Sequence, residues 1–479
     1  MTFPNPYRQY RESRPTPPRR DDKSERERLP PSPSSGGSYS ERERLPPSSS
    51  PSRGNRADRA PAASPRKTFL LRAMCPRGVD ERVAAELQRL PDAEEVGPAG
   101  PEGGVRFSGS LATLYRANLE LRCASRVLVQ LADVGCRGPE DLYAAAFAQP
   151  WEEFLDPDGT LAVSAHGTLP ECGLANSMFV ALRVKDAICD RFRSRYGRRP
   201  DVSVQSPDVR IHVQLYTRSD ERGRSLPRLV LSIDSTETPL HERGYRVATV
   251  EAPLKETLAA TFVEIALSGL PEVATPSASQ GTPTLPTVVD LCCGSGTLLV
   301  EAGLRILRKS PGLLRIGDKP RHLGCMGWRG FDRATFARVR DELLAQAVRG
   351  GGVFLHGYDL DRQAVSAARR NLGTAGLSPF SQIQQADLRE LSPPPPADIA
   401  APRIVLCNPP YGERMGATED LVALYRALGD TLKRRFTGYT AYVYTANLDL
   451  AKQIGLRPSA RHILFNGPLE GRLLQFKLY

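Results

Sequence analysis

Four short stretches of this chain bring together residue types that can do chemistry. The first is Val288-Val-Asp-Leu-Cys-Cys-Gly-Ser-Gly-Thr-Leu-Leu-Val-Glu301. An apolar strand runs into a glycine turn and then a helix, so a ligand can approach the backbone and meet the unpaired N–H groups of a helix start. The dinucleotide fingerprint G-x-G-x-x-G/A would need a small residue where Leu299 stands, and no Gly-Lys-Ser/Thr follows for a P-loop. Asp290, at the strand end, suits a positively charged ligand better than a pyrophosphate. S-adenosylmethionine, with its ammonium and sulfonium, is such a ligand, and Asp290, Gly294, Ser295, Gly296 and Thr297 are the candidate contacts. An ordinary tight strand–helix turn is the plainer alternative.

The second stretch is Phe354-Leu-His-Gly-Tyr-Asp-Leu-Asp-Arg362. An acid just after a strand can accept two hydrogen bonds from ribose hydroxyls, and Asp359 comes first. Asp361 is placed to cap the next helix. The third is Gln384-Gln-Ala-Asp-Leu388, where Asp387 can meet an adenine amine or simply cap a turn. The fourth is Ile404-Val-Leu-Cys-Asn-Pro-Pro-Tyr-Gly412. Pro409 and Pro410 stiffen the turn, so the Asn408 amide oxygen and the Pro409 carbonyl can accept from an exocyclic amine. Tyr411 can stack on a flat base drawn out of its helix. Together the four motifs imply methyl transfer to a planar conjugated amine, with Asn408, Pro409, Pro410 and Tyr411 as catalytic residues.

These motifs need a scaffold of strands alternating with helices, the signature of a parallel α/β sheet. From Thr287 onward the strand candidates are Val288–Cys292, Val353–Tyr358, Gln382–Ala386, Ile404–Cys407 and Ala441–Thr445, followed by a terminal hairpin turning over Asn466–Gly471. Residues 67–238 read as a smaller α+β region. Its strands are Phe69–Ala73, Leu161–Ala165, Val209–Leu215 and Leu229–Asp234, and its helices are Val79–Leu90 and Asn176–Tyr196. The latter helix has a basic C-terminal half. Residues 239–286 supply a connector, a helix over Pro253–Leu267 and a Pro/Ser/Thr-rich loop. Residues 1–66 hold 13 of the 42 prolines, few aliphatics and two copies of Ser-Glu-Arg-Glu-Arg-Leu-Pro-Pro-Ser, at 24–32 and 40–48. That composition cannot offset the entropy of ordering and predicts a disordered tail.

Composition narrows the class. The chain has 479 residues, a net charge of +11 and a pI near 9.3, which favours a polyanionic partner. No apolar run reaches the length of a membrane span, and the N-terminus lacks the apolar core of a secretory signal. Nine cysteines without a CxxC pair argue against a disulfide framework or a zinc knuckle. A cytoplasmic protein without metal is the expectation, its oligomeric state left open.

Asp290-x-x-x-Gly-Ser-Gly-Thr297 with Asn408-Pro-Pro-Tyr411 resembles class I S-adenosylmethionine-dependent amino-methyltransferases. Leu240-His-Glu-Arg-Gly-Tyr-Arg246, Glu251-Ala-Pro-Leu-Lys-Glu256 and Asn408-Pro-Pro-Tyr-Gly-Glu-Arg-Met415 narrow the resemblance to the THUMP-domain RNA methyltransferases. Within these it points to the bacterial large-subunit (23S) ribosomal RNA guanine-N2 enzymes. The resemblance spans about residues 67–479, specific over 240–300 and 404–416 and diffuse over 67–235. It implies a ferredoxin-like/THUMP RNA-binding region over 67–238. It also implies a Rossmann-like seven-stranded methyltransferase sheet over 287–479 with the last strand antiparallel, and places Glu413 and Arg414 beside the catalytic turn. An insertion between Gly296 and Asp359 carries Arg308, Lys309, Arg315, Lys319, Arg321 and Trp328 and can seat RNA or form a solvated basic face. Some relatives carry a second methyltransferase domain; with the chain ending at Tyr479, a single activity is expected.

The expected reaction is direct in-line methyl transfer to guanine N2 in ribosomal RNA, without metal or covalent intermediate. The rivals are a transfer-RNA guanine methyltransferase, an adenine-N6 DNA methyltransferase and a non-catalytic RNA-binding assembly factor.

Overall fold

The computed structural model describes residues 67–100, 103–250, 253–268, 270, 285–316, 323–349, 351–395, 401–412 and 418–479. The tail, most of the 269–286 loop, Lys319, Arg321, Glu413 and Arg414 lie outside the described residues.

Two sheets organise the chain. The N-terminal one has eight strands: β1 (Phe69–Met74), β2 (Glu94–Pro98), β3 (Val105–Gly109), β4 (Arg126–Gly135), β5 (Thr160–His166), β6 (Asp201–Val202), β7 (Val209–Ser219) and β8 (Ser225–Asp234), ordered β2-β3-β1-β4-β8-β7-β5-β6. Its strands alternate; in β7, Val209, Ile211, Val213 and Leu215 point into the core while the residues between are half-buried. The helices are α1 (Asp80–Leu87), α2 (Leu111–Glu120), α3 (Pro139–Ala148) and α4 (Ser177–Tyr196). Each strand or helix expected over 67–238 forms within a few residues of its predicted span. What patterning does not reveal is that β4 pairs with β8 from Leu128↔Asp234 to Gly135↔Arg228, fusing two smaller α/β units into one sheet.

The cations in the basic half of α4, which by sequence could offer an RNA-contacting face, are already engaged within the fold. They are met by carboxylates: Arg183 by Glu140, Lys185 by Asp186, Arg193 by Asp190, and both Arg191 and Arg195 by Glu152. Arg191 is buried and also donates to the Phe147 carbonyl at 2.9 Å. It is a structural clamp rather than a free phosphate contact. Arg191→Ala is expected to cost about 3 kcal/mol in urea unfolding, because it leaves Glu152 half-paired. The slope of RNA affinity against salt should stay unchanged; a shallower slope would return Arg191 to the RNA surface.

The second sheet has seven strands: β9 (Thr287–Asp290), β10 (Leu355–Asp359), β11 (Ser381–Gln385), β12 (Arg403–Cys407), β13 (Thr440–Thr445), β14 (Ala460–Asn466) and β15 (Leu469–Lys477), ordered β11-β10-β9-β12-β13-β15-β14. β9 through β13 are parallel, and the last strand runs antiparallel between β13 and β14. β9 is buried along its whole length, as a central parallel strand covered on both faces must be. The helices are α5 (Glu256–Leu267), α6 (Thr297–Ile306), α7 (Leu313–Ile316), α8 (Arg333–Ala345), α9 (Arg362–Thr374), α10 (Thr418–Arg435) and α11 (Leu448–Gln453). The terminal turn is tighter than expected, since Asn466 pairs with Leu469.

In the insertion after α6, Arg315 and Trp328 are buried, while Arg329, Arg333, Arg338, Arg340 and Arg349 stay exposed. The insertion is a strap onto the N-terminal sheet. Ser310 Oγ and Gly312 N donate to the Leu119 carbonyl, Cys325 N to Ser235 and Arg329 N to Phe154. Arg315 is buried and donates to the Thr238 carbonyl. Trp328 packs edge-on against Phe154 at 5.3 Å, and Tyr115 meets Phe331 and Phe336 at 5.5 and 5.4 Å.

Candidate active site

The chain leaves β9 outward through β10 to β11, then returns to the other side of β9 as β12. At such a reversal in an open parallel sheet a crevice opens beyond the strand ends. Here it is a cavity of about 1330 Å³.

Most residues singled out from the sequence meet there. Asp290, Gly294, Ser295, Thr297, Asp359 and Asp387 line one part, and Asn408, Pro409, Pro410 and Tyr411 another. Gly296 stands behind the wall. It takes φ +81° at the start of α6, and a side chain there would press on Ala368 of α9 at 3.1 Å. Gly294 also turns left-handed, at φ +53°. The turn is tied to β10: Gly294 N donates to Asp359 Oδ2 at 2.8 Å, and Asp361 N donates to Asp359 Oδ1 at 3.0 Å. Asp361 caps α9 as expected, accepting from Gln363 N.

The electrostatics are unusual at Asp290. It is 1% exposed. Burial, reinforced by nearby Asp359, pushes its carboxyl up to about 8 even though Cys292 N donates to it. A buried acid held neutral at pH 7 is relieved when a cation arrives beside it. That fits a ligand bearing an ammonium and a sulfonium. Asp387 is engaged differently. Arg389 binds its carboxylate through side chain and backbone and holds it below the usual range. Contact with an adenine amine would use the lone pairs Arg389 leaves over.

At the other side stands the turn after β12. Asn408 Oδ1 is buried and has no hydrogen-bond partner among the described residues. Such an orphan acceptor costs about 1–3 kcal/mol in a folded protein. It is held in place by the two prolines that follow, and it fits an incoming N–H donor. Tyr411 leans edge-on against Tyr444 at 5.9 Å, beside the cavity.

Three site residues were not read from the sequence. Arg246 donates to Ser295 Oγ, Glu256 Oε1 and the Leu254 carbonyl, pinning the connector to the glycine turn. Asn371, fully buried on α9, accepts from Val247 N and Ala248 N and donates to the Ala248 and Ser295 carbonyls. All four of its hydrogen-bonding positions are thereby used. The available signal was a lone Asn on the apolar Ala367–Ala368–Leu372 side of the helix. Asn466, at the end of β14, lines the cavity.

Comparison with known proteins agrees with this arrangement. Residues 243–475 match the family model described as "RMKL-like, methyltransferase domain", residues 136–219 the THUMP domain, and residues 71–128 the RlmL ferredoxin-like domain. The chain is 40% identical over 410 residues to the ribosomal RNA large subunit methyltransferase K/L of Allochromatium vinosum, covering 85% of this chain and 51% of that protein. It thus spans about half the length of that relative. It is 38% identical to the "Putative RNA methyltransferase slr0064" of Synechocystis, covering 84% of this chain and 95% of that one. Among solved structures it resembles a "putative methyltransferase complexed with SAH", with a TM-score of 0.70, 26% identity and coverage of 86% and 99% of the two chains. A "predicted N6-adenine-specific DNA methylase" from Listeria monocytogenes superposes with a TM-score of 0.69 at 26% identity, over 86% and 97%. The chain belongs to the family of methyltransferases that join a THUMP domain to an RMKL-like methyltransferase domain.

Proposed function

We propose that the chain transfers a methyl group from S-adenosylmethionine to the exocyclic N2 of a guanine in large-subunit (23S) ribosomal RNA, in the cytoplasm. The observation that carries this reading is Asn408 Oδ1, buried and without a partner among the described residues, in one cavity with the buried Asp290. Asp290 and Asp359 would face the ammonium and ribose of the donor, and the glycine turn would let its backbone approach. S-adenosylmethionine supplies an electrophilic methyl group on its sulfonium.

The protein's own work is on the acceptor. A guanine amine is a weak nucleophile because its lone pair is delocalised into the ring. Asn408 Oδ1 and the Pro409 carbonyl accept its two N–H groups, turning the lone pair toward the methyl carbon. They also stabilise positive charge as the N–C bond forms and the C–S bond breaks. Tyr411 holds the base by stacking. In-line placement of this kind removes up to roughly 7–11 kcal/mol of barrier in well-oriented systems. The product ammonium then loses a proton to solvent. The names of the K/L relatives support ribosomal RNA as substrate.

A second reading, adenine-N6 transfer to DNA, draws on the name of the Listeria neighbour. The THUMP match over 136–219 supports RNA instead. The deciding experiment incubates the protein with labelled S-adenosylmethionine and unmodified 23S RNA, transfer RNA or duplex DNA, then digests to nucleosides. N2-methylguanosine from 23S RNA is expected. The same nucleoside from transfer RNA alone would move the substrate. N6-methyladenine in DNA would overturn the reading, and RNA binding without label would favour an assembly factor.

A further inference from the structure

Asn466 sits where the cavity meets the terminal hairpin. It is the last residue of β14, and the chain turns at once through Gly467, at φ +63°. Its side chain lines the cavity that holds Asn408 and Tyr411, and its Nδ2 lies 3.5 Å from Tyr411 Oη. The Asn466 carboxamide thus stands at the hydroxyl end of the Tyr411 ring, within reach of the edge of a base stacked on that ring. The hairpin end is also buttressed from outside the catalytic sheet. The Arg77 guanidinium lies 5.6 Å above the Phe465 ring, and a side chain at Gly78 would meet the Ile463 carbonyl at 3.1 Å. The carboxamide is thus carried on a supported element.

A carboxamide presents an acceptor and a donor side by side. Guanine, next to its 2-amine, presents the complementary pair: the N1–H donor and the O6 acceptor. Adenine offers only a bare N1 beside its 6-amine. We propose that Asn466 is the specificity-determining residue for the target base, Oδ1 accepting from guanine N1–H and Nδ2 donating to O6. This rests on the guanine-N2 reading above. Sites built to hydrogen-bond a substrate group reject analogues that lack it more strongly than apolar pockets do.

The test uses an RNA stem–loop spanning the mapped target, with either guanosine or 2-aminopurine at that nucleotide. Both carry the 2-amine, but 2-aminopurine lacks N1–H and O6. Wild type, Asn466→Ala and the isosteric Asn466→Asp are compared by kcat/KM, with S-adenosylmethionine affinity as the check of folding. The guanosine-to-2-aminopurine ratio is expected to fall roughly 10- to 100-fold in both variants, through loss on guanosine. Donor affinity and the 2-aminopurine rate should stay within about threefold. An unchanged ratio, with wild type still forming N2-methylguanosine, overturns the role of Asn466 alone. Failure of wild type to methylate guanine N2 is a different result: it removes the proposed function and this inference with it.

Discussion

Asn408→Ala should lower turnover by at least about 100-fold while leaving S-adenosylmethionine affinity within about threefold of wild type. The size follows from what Oδ1 does in the proposed reaction. It accepts from the amine more strongly as the nitrogen becomes cationic, so its loss is felt in the transition state more than in either bound ground state. Removing one pre-placed polar group of this kind typically costs 10²–10³ in kcat. The substitution also removes a buried orphan acceptor, so the folded protein should not be weakened through lost pairing. Single-turnover methyl transfer to RNA, beside equilibrium binding of the donor, separates the two effects. Near-wild-type transfer would show that another group holds the amine.

The second large effect concerns Asp290. Its carboxyl is raised by burial and by Asp359 to about 8, so the folded protein keeps this proton at pH 7. An ordinary aspartate in the unfolded chain loses it near 3.9. For such a raised acid the favourable contribution is complete below the unfolded value and fades as pH rises toward 8. A cation bound beside it reverses the preference and expels the proton. Donor binding at pH 7 should therefore release close to one proton, read by calorimetry in buffers of different ionisation enthalpy. Between about pH 5.5 and 7, below the titration of the donor's own amine, affinity should rise about tenfold per pH unit. Asp290→Asn should abolish the proton release and weaken binding at least about tenfold. Release from that variant equal to wild type would place the proton elsewhere.

What could be read from the sequence was local. The turns Asp290–Thr297 and Asn408–Tyr411 declare themselves because their chemistry lies within eight residues of chain. The strands around them declare themselves through alternation or unbroken apolar runs. Residues that act across the fold do not. Asn371 reaches Ala248 over 123 positions and Asn466 reaches Tyr411 over 55. Charge misleads for the same reason. Arg191 looks like part of a basic surface until Glu152, 39 residues earlier, is folded against it. Arg315 and Trp328 look like an RNA seat until the N-terminal sheet covers them. A one-dimensional pattern reports which side chains are charged or aromatic, and only packing decides which keep a face to solvent.

The strap, described over residues 307–316 and 323–348, has an evolutionary corollary. By sequence it belongs with the catalytic half, yet it completes its packing on Leu119, Tyr115, Phe154 and Ser235 of the other half. A truncation placed in the connector would respect the boundaries between family models and still cut through a core. The catalytic fragment would carry Trp328, Phe331 and Phe336 uncovered, and the N-terminal fragment would lose the cover over Tyr115. The two halves cannot be shuffled independently: a recombinant inheriting one without a matching partner inherits an aggregation-prone surface in place of an interface.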